Sequence, residues 1–355
     1  MKPRTLIPAA AVAVLIVGNP VVAAPTVYIP LGTANEILVV DASTDTPIRS
    51  IDGVVNPHGL AVTPDGKTLV AGSNKEAAPG AVAAPPKPEG LSEEEHRSHH
   101  PPAAGQAPVD GITAGKSHVD IIDAGTGRIL RRIDVTGAVH HVAITPDGRY
   151  AITTHTTAGG VSVIDIRAQK LDRTIATGPF PNYAAATSDG KRVYVSNAGN
   201  NTVSEIDTGH WIVSRNFVVG SVPEHIVLSG DNDTLYVNNV NEGTVSVIGL
   251  GAETKATRID VGKEPHGIEL SSDGATLFVS AKADDKLVSV NLADGSRREL
   301  TLAPAPYHVT RIAGTGKLYV SSREEPKVWV VDADRLVILS VIPVRGEGHE
   351  MAVVP

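Results

Sequence analysis

One ten-residue phrase, written again and again at a fixed interval, limits this chain to a ring or a solenoid. PHGLAVTPDG at Pro57 to Gly66 returns as VHHVAITPDG from Val139, PNYAAATSDG from Pro181, PEHIVLSGDN from Pro223 and PHGIELSSDG from Pro265. PYHVTRIAGTG follows from Pro306, and a shortened copy, GHEMAVVP, closes the chain at Pro355. Each copy is a turn, a short apolar run and a second tight turn, the pattern of a strand between two loops. The first variable positions, His58, His140, Asn182, Glu224, His266, Tyr307 and His349, are separated by 82, 42, 42, 42, 41 and 42 residues. An independent phrase, ILVVD to Asp41, VDIID to Asp123 and VSVID to Asp165 among its copies, also counts to seven. Two further strand signals lie in each unit, and four short strands in about 42 residues make a propeller blade.

The reading is therefore an all-β, seven-bladed β-propeller of four-stranded blades, with strands A to D running outward from the axis. Val27 to Asp52 supplies strands B, C and D of a blade without an A, and His349 to Val354 supplies an A with nothing after it. The two ends should pair in one blade, which closes the ring and removes open edges. The 41% hydrophobic residues with only 3% aromatics suit a β-branched, aliphatic core.

Lys2 and Arg4, the apolar run Leu6 to Val17 and the small residues Val22-Ala23-Ala24 read as a cleaved secretory leader over residues 1–24. The run is short for a membrane span, so the expectation is a periplasmic or secreted monomer with no span after cleavage. The 25–355 ring carries one insertion, 75–117, rich in Pro, Ala and Gly and without apolar periodicity; it is expected to be disordered. A net charge of −8 without a basic stripe argues against nucleic acid. The absence of cysteine excludes disulfides, thiolate metal sites and thioether-linked haem.

Histidine carries the functional signal. His58, His140, His141, His225, His266, His308 and His349 all stand at the lead-ins to the innermost strands, where a propeller opens onto its axis. His96, His99, His100, His118 and His155 belong to B–C connections on the same side, leaving His210 alone on the other. Neighbouring strand residues point in opposite directions. The second-position set, His141, His225 and His308, would then give three imidazoles in alternate blades, suited to Zn or Cu with one open position. The first-position set would form a second ligand set or an outer shell. Sequence leaves open which set faces the axis, and whether turn geometry turns both inward. Glu224, Glu264, Glu347 and Glu350 share these turns and could ligate or orient the rings. Tyr183 and Tyr307 stand there too and could line the channel mouth, though packing is the favoured role; Trp211 and Trp329 read as packing. The repeated Asp-Gly of the TPDG turns reads as hairpin chemistry. No nucleophile elbow, Walker loop or dinucleotide fingerprint is present.

The phrase PHGLAVTPDG followed by strands such as YVSN (Tyr194 to Asn197) and YVNN (Tyr236 to Asn239) resembles the YVTN-repeat β-propeller family over essentially the whole ring. It is similar to periplasmic propellers grouped with the haem d1 domain of nitrite reductases. That resemblance implies a functionally mixed family; its d1 domain has eight blades where this chain counts seven, which ranks haem d1 behind Zn or Cu. Three functions follow as expectations. The first is a metal-holding periplasmic protein for storage or delivery, with a metal ion or small ligand and possible periplasmic partners, and without catalysis. The second is a haem d1-like or copper redox enzyme using the same pocket. The third is an interaction propeller with no ligand.

Overall fold

A computed structural model describes residues 25–77, 114–251 and 256–354. The leader read over 1–24 and most of the insertion, with His96, His99 and His100, lie outside the described residues. Among the described residues the strands form seven four-stranded antiparallel sheets. The blade of the two chain ends is numbered 1 here and the rest follow in chain order. In blade 1, Thr26 pairs with Val354, Val27 with Val353 and Tyr28 with Ala352, so the ends close the ring as expected. No helix among the described residues is long and apolar enough to cross a membrane.

The blades are held by their faces. Val27, Ile29 and Leu31 of blade 1 pack with Tyr319, Val328 and Val330 of blade 7, and similar layers fill the other described blade contacts. Strands B and C are buried on both faces, which is why they read as unbroken apolar runs. The outermost strands are largely exposed on one face. The TPDG turns are structural, as read: Thr63 Oγ1 donates to Asp65 Oδ1 at 2.7 Å, and Gly66 takes φ 70° to complete the turn.

A β-bulge opens each innermost strand. In blade 2, Pro57 pairs with Ser73 and Leu60 with Ala71, so His58 and Gly59 together oppose the single residue Gly72. The same shift separates Pro181 from Ala184, Pro223 from Ile226, Pro265 from Ile268 and Pro306 from Val309. In blade 3, His140 N–H and His141 C=O both bond to Thr154. A bulge breaks the strict up-down alternation of a strand. The two variable positions are therefore not forced to opposite sides.

A bulge also leaves a backbone N–H without a ladder partner, and strand B supplies the acceptor. Thr154 Oγ1 takes the N–H of His141 at 3.0 Å, Ser196 that of Tyr183 at 3.0 Å, Ser280 that of Gly267 at 2.7 Å and Ser321 that of His308 at 3.1 Å. Thr154 donates onward to Asn182 O at 2.8 Å, and Ser280 to Tyr307 O, tying each bulge to the next blade. This is the physical content of the third letter of YVSN. Where the second position is glycine the next blade comes closer still: a Cβ on Gly59 would lie 2.7 Å from the His141 carbonyl carbon. Ser196→Ala leaves the buried Tyr183 N–H unsatisfied, and urea unfolding should show a loss of about 1–3 kcal/mol.

Candidate functional site

The bulges turn both variable positions toward one mouth. His58, His140, His141, His225, His266, His308 and His349 are each at least 96% buried. Both sets mix in space. His58 stacks on His349 at 3.9 Å between ring centroids and lies 4.5 Å from His140. His225 is 4.3 Å from His266 and 4.8 Å from His308. The separation into an axial set and an outer set does not describe the molecule, because the bulge removes the alternation on which it rested.

The three imidazoles whose ligand atoms all lie within 4.8 Å of one another are His225, His266 and His308. Two come from the second position and one from the first. A tetrahedral zinc with bonds of ~2.0–2.1 Å spaces its nitrogens about 3.4 Å apart, so modest closing of the rings completes a site. Nε2 of His225 and Nε2 of His308 are buried and make no hydrogen bond. Glu224 Oε2 lies 2.7 Å from His266 Nδ1, both side chains being 1% exposed. A carboxylate there favours the proton on Nδ1 and leaves Nε2 with its lone pair, as in carboxylate–histidine–metal arrangements. Burial, reinforced by the neighbouring imidazoles, holds His225 and His308 well below the ordinary imidazole pKa, so both are neutral and able to ligate.

His141 has a different occupation. Its Nδ1 accepts the Ala184 N–H at 3.1 Å, which puts its proton on Nε2. That nitrogen lies 2.5 Å from Glu350 Oε2. Tyr183 donates to Glu350 Oε1 at 2.6 Å and stacks on His141 at 3.5 Å. Tyr307 likewise stacks on His266 at 3.7 Å. Both tyrosines stand at lead-ins, but at those positions an aromatic reads equally well as packing. Their shared register with the histidines is the sequence signal that places them at the mouth. Of the remaining first-position rings, His58 Nδ1 is 2.8 Å from His140 O and His140 Nδ1 is 3.0 Å from Asn182 O, a wall rather than an open ligand set. Glu264 pairs with Lys282 at 3.0 Å, and Glu347 with Arg323.

Two further sequence candidates lie away from the cluster. His118, on strand C of blade 2, is 3.8 Å from Asp120. His155 stands where blades 4 and 5 carry Asn197 and Asn239. Asn197 bonds Ser204, Asn239 bonds Ser246, and His155 Nε2 bonds Ser162 at 2.8 Å with Nδ1 3.1 Å from Gly137 O. His155 is a structural substitute for asparagine. His210 is exposed and pairs with Asp207 at 2.9 Å.

The fold and this mouth define a seven-bladed propeller with a buried imidazole cluster at one end of its axis. Residues 111–318 match the cytochrome D1 heme domain, and the chain belongs to that family. No curated protein matches the chain in sequence. Among solved structures it is similar to the periplasmic gluconolactonase of Pseudomonas aeruginosa (17% identity, 93% of this chain and 99% of that one, TM-score 0.69). It is also similar to Kuenenia stuttgartiensis hydrazine synthase (16%, 89% and 91%, TM-score 0.65). A third is the dihydro-heme d1 dehydrogenase NirN (13%, 90% and 63%, TM-score 0.62). At such identities these neighbours establish the fold alone.

The family name raises the question of a haem, which needs a flat slot between its walls. Here the walls meet: His58 on His349, His141 on Tyr183 and His266 on Tyr307 are stacked within 4 Å. The residues of the mouth, as arranged, do not fit a tetrapyrrole among them; three imidazoles with ligand atoms within 4.8 Å of one another fit a single ion.

Burial pushes His155 down to about 4 from the ordinary value near 6.5. Below pH 6.5 the unfolded chain binds a proton that the folded one refuses, so stability falls as pH drops from 6.5 toward 4. Thermal unfolding across that range should show a smaller acid loss in His155→Asn than in the wild type. Equal losses would mean that His155 does not contribute.

Proposed function

We propose that this protein is a transition-metal-binding propeller, holding Zn or Cu through His225, His266 and His308, and that it works outside the cytoplasm in metal storage or delivery. The observation that carries the reading is the trio itself: three buried imidazoles from three successive blades, with ligand atoms within 4.8 Å of one another. The borderline-soft ions Zn and Cu suit an all-nitrogen set, whereas Mg and Ca prefer oxygen. Glu224 behind His266 is the kind of outer partner that metal-bound histidines use. The leader-like N-terminus supports an extracytoplasmic location, as does a fold neighbour named as periplasmic.

Family membership favours a second reading, haem binding, which would need the stacked rings to part. Metal analysis with absorbance separates the two. The purified protein should hold about one Zn or Cu ion per chain, lost in His225→Ala/His308→Ala. An intense Soret band would favour the haem reading. A colourless, metal-free protein that takes up neither ion on titration would overturn the metal reading.

A further inference from the structure

Glu350 bonds Tyr183, whose ring packs beside His225 of the trio. It lies in the lead-in to strand A of blade 1, three blades around the ring from Tyr183 in blade 4, so the bond between them spans the mouth. Its side chain is 17% exposed, whereas His225, His266 and His308 are 1–4% exposed. Tyr183 fills the space between, its ring stacked on His141 at 3.5 Å and 4.4 Å from that of His225. Oε1 of Glu350 takes the Tyr183 hydroxyl, but Oε2 is buried and completes no well-directed hydrogen bond although His141 Nε2 is 2.5 Å away.

Burial holds His225 and His308 neutral, and Glu224 sits against the Nδ1 of His266. Glu350 is more exposed than the trio, and its Oε2 offers a cation an oxygen ligand. Burying a carboxylate is costly unless it is paired, and Tyr183 with His141 supplies that pairing while no cation is present. Both are held in place by the bulge chemistry: Tyr183 N–H by Ser196, and His141 Nδ1 by the Ala184 N–H.

Resting on the metal reading above, we propose that Glu350 is an exchangeable fourth ligand. It captures a divalent transition cation at the mouth, leaves Tyr183 and His141, and completes the set of His225, His266 and His308. The step is ligand exchange only: a water leaves the ion as the carboxylate oxygen binds, and the Tyr183 and His141 protons stay on their own atoms. The carboxylate adds negative charge to a set of imidazoles and so favours a divalent ion.

The test is zinc binding to the full chain, measured in competition with a chromophoric chelator and by stopped flow. Cobalt absorbance serves as a reading of the ligand set. Glu350→Gln keeps the size of the side chain and an oxygen for Tyr183. It should weaken zinc about 10–100-fold and change the cobalt spectrum. Tyr183→Phe should take up zinc about tenfold faster, the equivalent of one hydrogen bond to a charged group, and bind it no more weakly. Wild-type affinity, rate and cobalt spectrum in Glu350→Gln, with zinc still lost in His225→Ala/His308→Ala, would overturn the role of Glu350 alone. A wild type that binds no zinc would overturn the metal reading and this proposal together.

Discussion

The bulge at the start of each innermost strand is the constraint on which the rest of this molecule depends. A regular strand would send one of each pair of variable residues away from its neighbour. Two residues opposed to one on strand B release that alternation. The released N–H needs an acceptor in a place water does not reach, and a hydroxyl on strand B provides it. The same hydroxyl in blades 3 and 6 reaches the next blade. One repeated residue thus solves a backbone problem and fastens the ring at its narrowest radius.

What fills the mouth follows from electrostatics in a dry place. Imidazoles packed ring against ring cannot all carry charge, and burial drives His140 down to about 4 and His225, His308 and His349 well below the ordinary range. Of the carboxylates, Glu224 sits behind His266, and Glu350 sits against Tyr183 and His141 with Glu269 near enough to feel its charge. The neighbouring propellers show why the ring alone says little about chemistry. Their names span a lactonase, a hydrazine synthase and a haem dehydrogenase at 13–17% identity.

Much of this was legible before any coordinates. The period set the blade number, and the misaligned ends of the two phrases foretold the closing pair of Thr26 to Tyr28 with Ala352 to Val354. The Asp of TPDG is the turn former it was read to be. At the site, the histidines were legible as a group because they recur in one register. Their roles were not. His141 was grouped with His225 and His308, and the structure instead gives it to Glu350, with His266 completing the trio. His155 was placed among the site residues, although the asparagines aligned with it mark it as a loop support.

The amino-acid sequence by itself determined the ring, its closure and the concentration of imidazoles at one end, because each is written in period and register. Only the tertiary structure decided which imidazoles meet. That choice turns on a one-residue slip in strand pairing and on contacts across the axis between residues as distant as Tyr183 and Glu350. Neither leaves a mark in local sequence, since a bulged and a regular strand can share the same letters and a cross-axis contact has no fixed spacing.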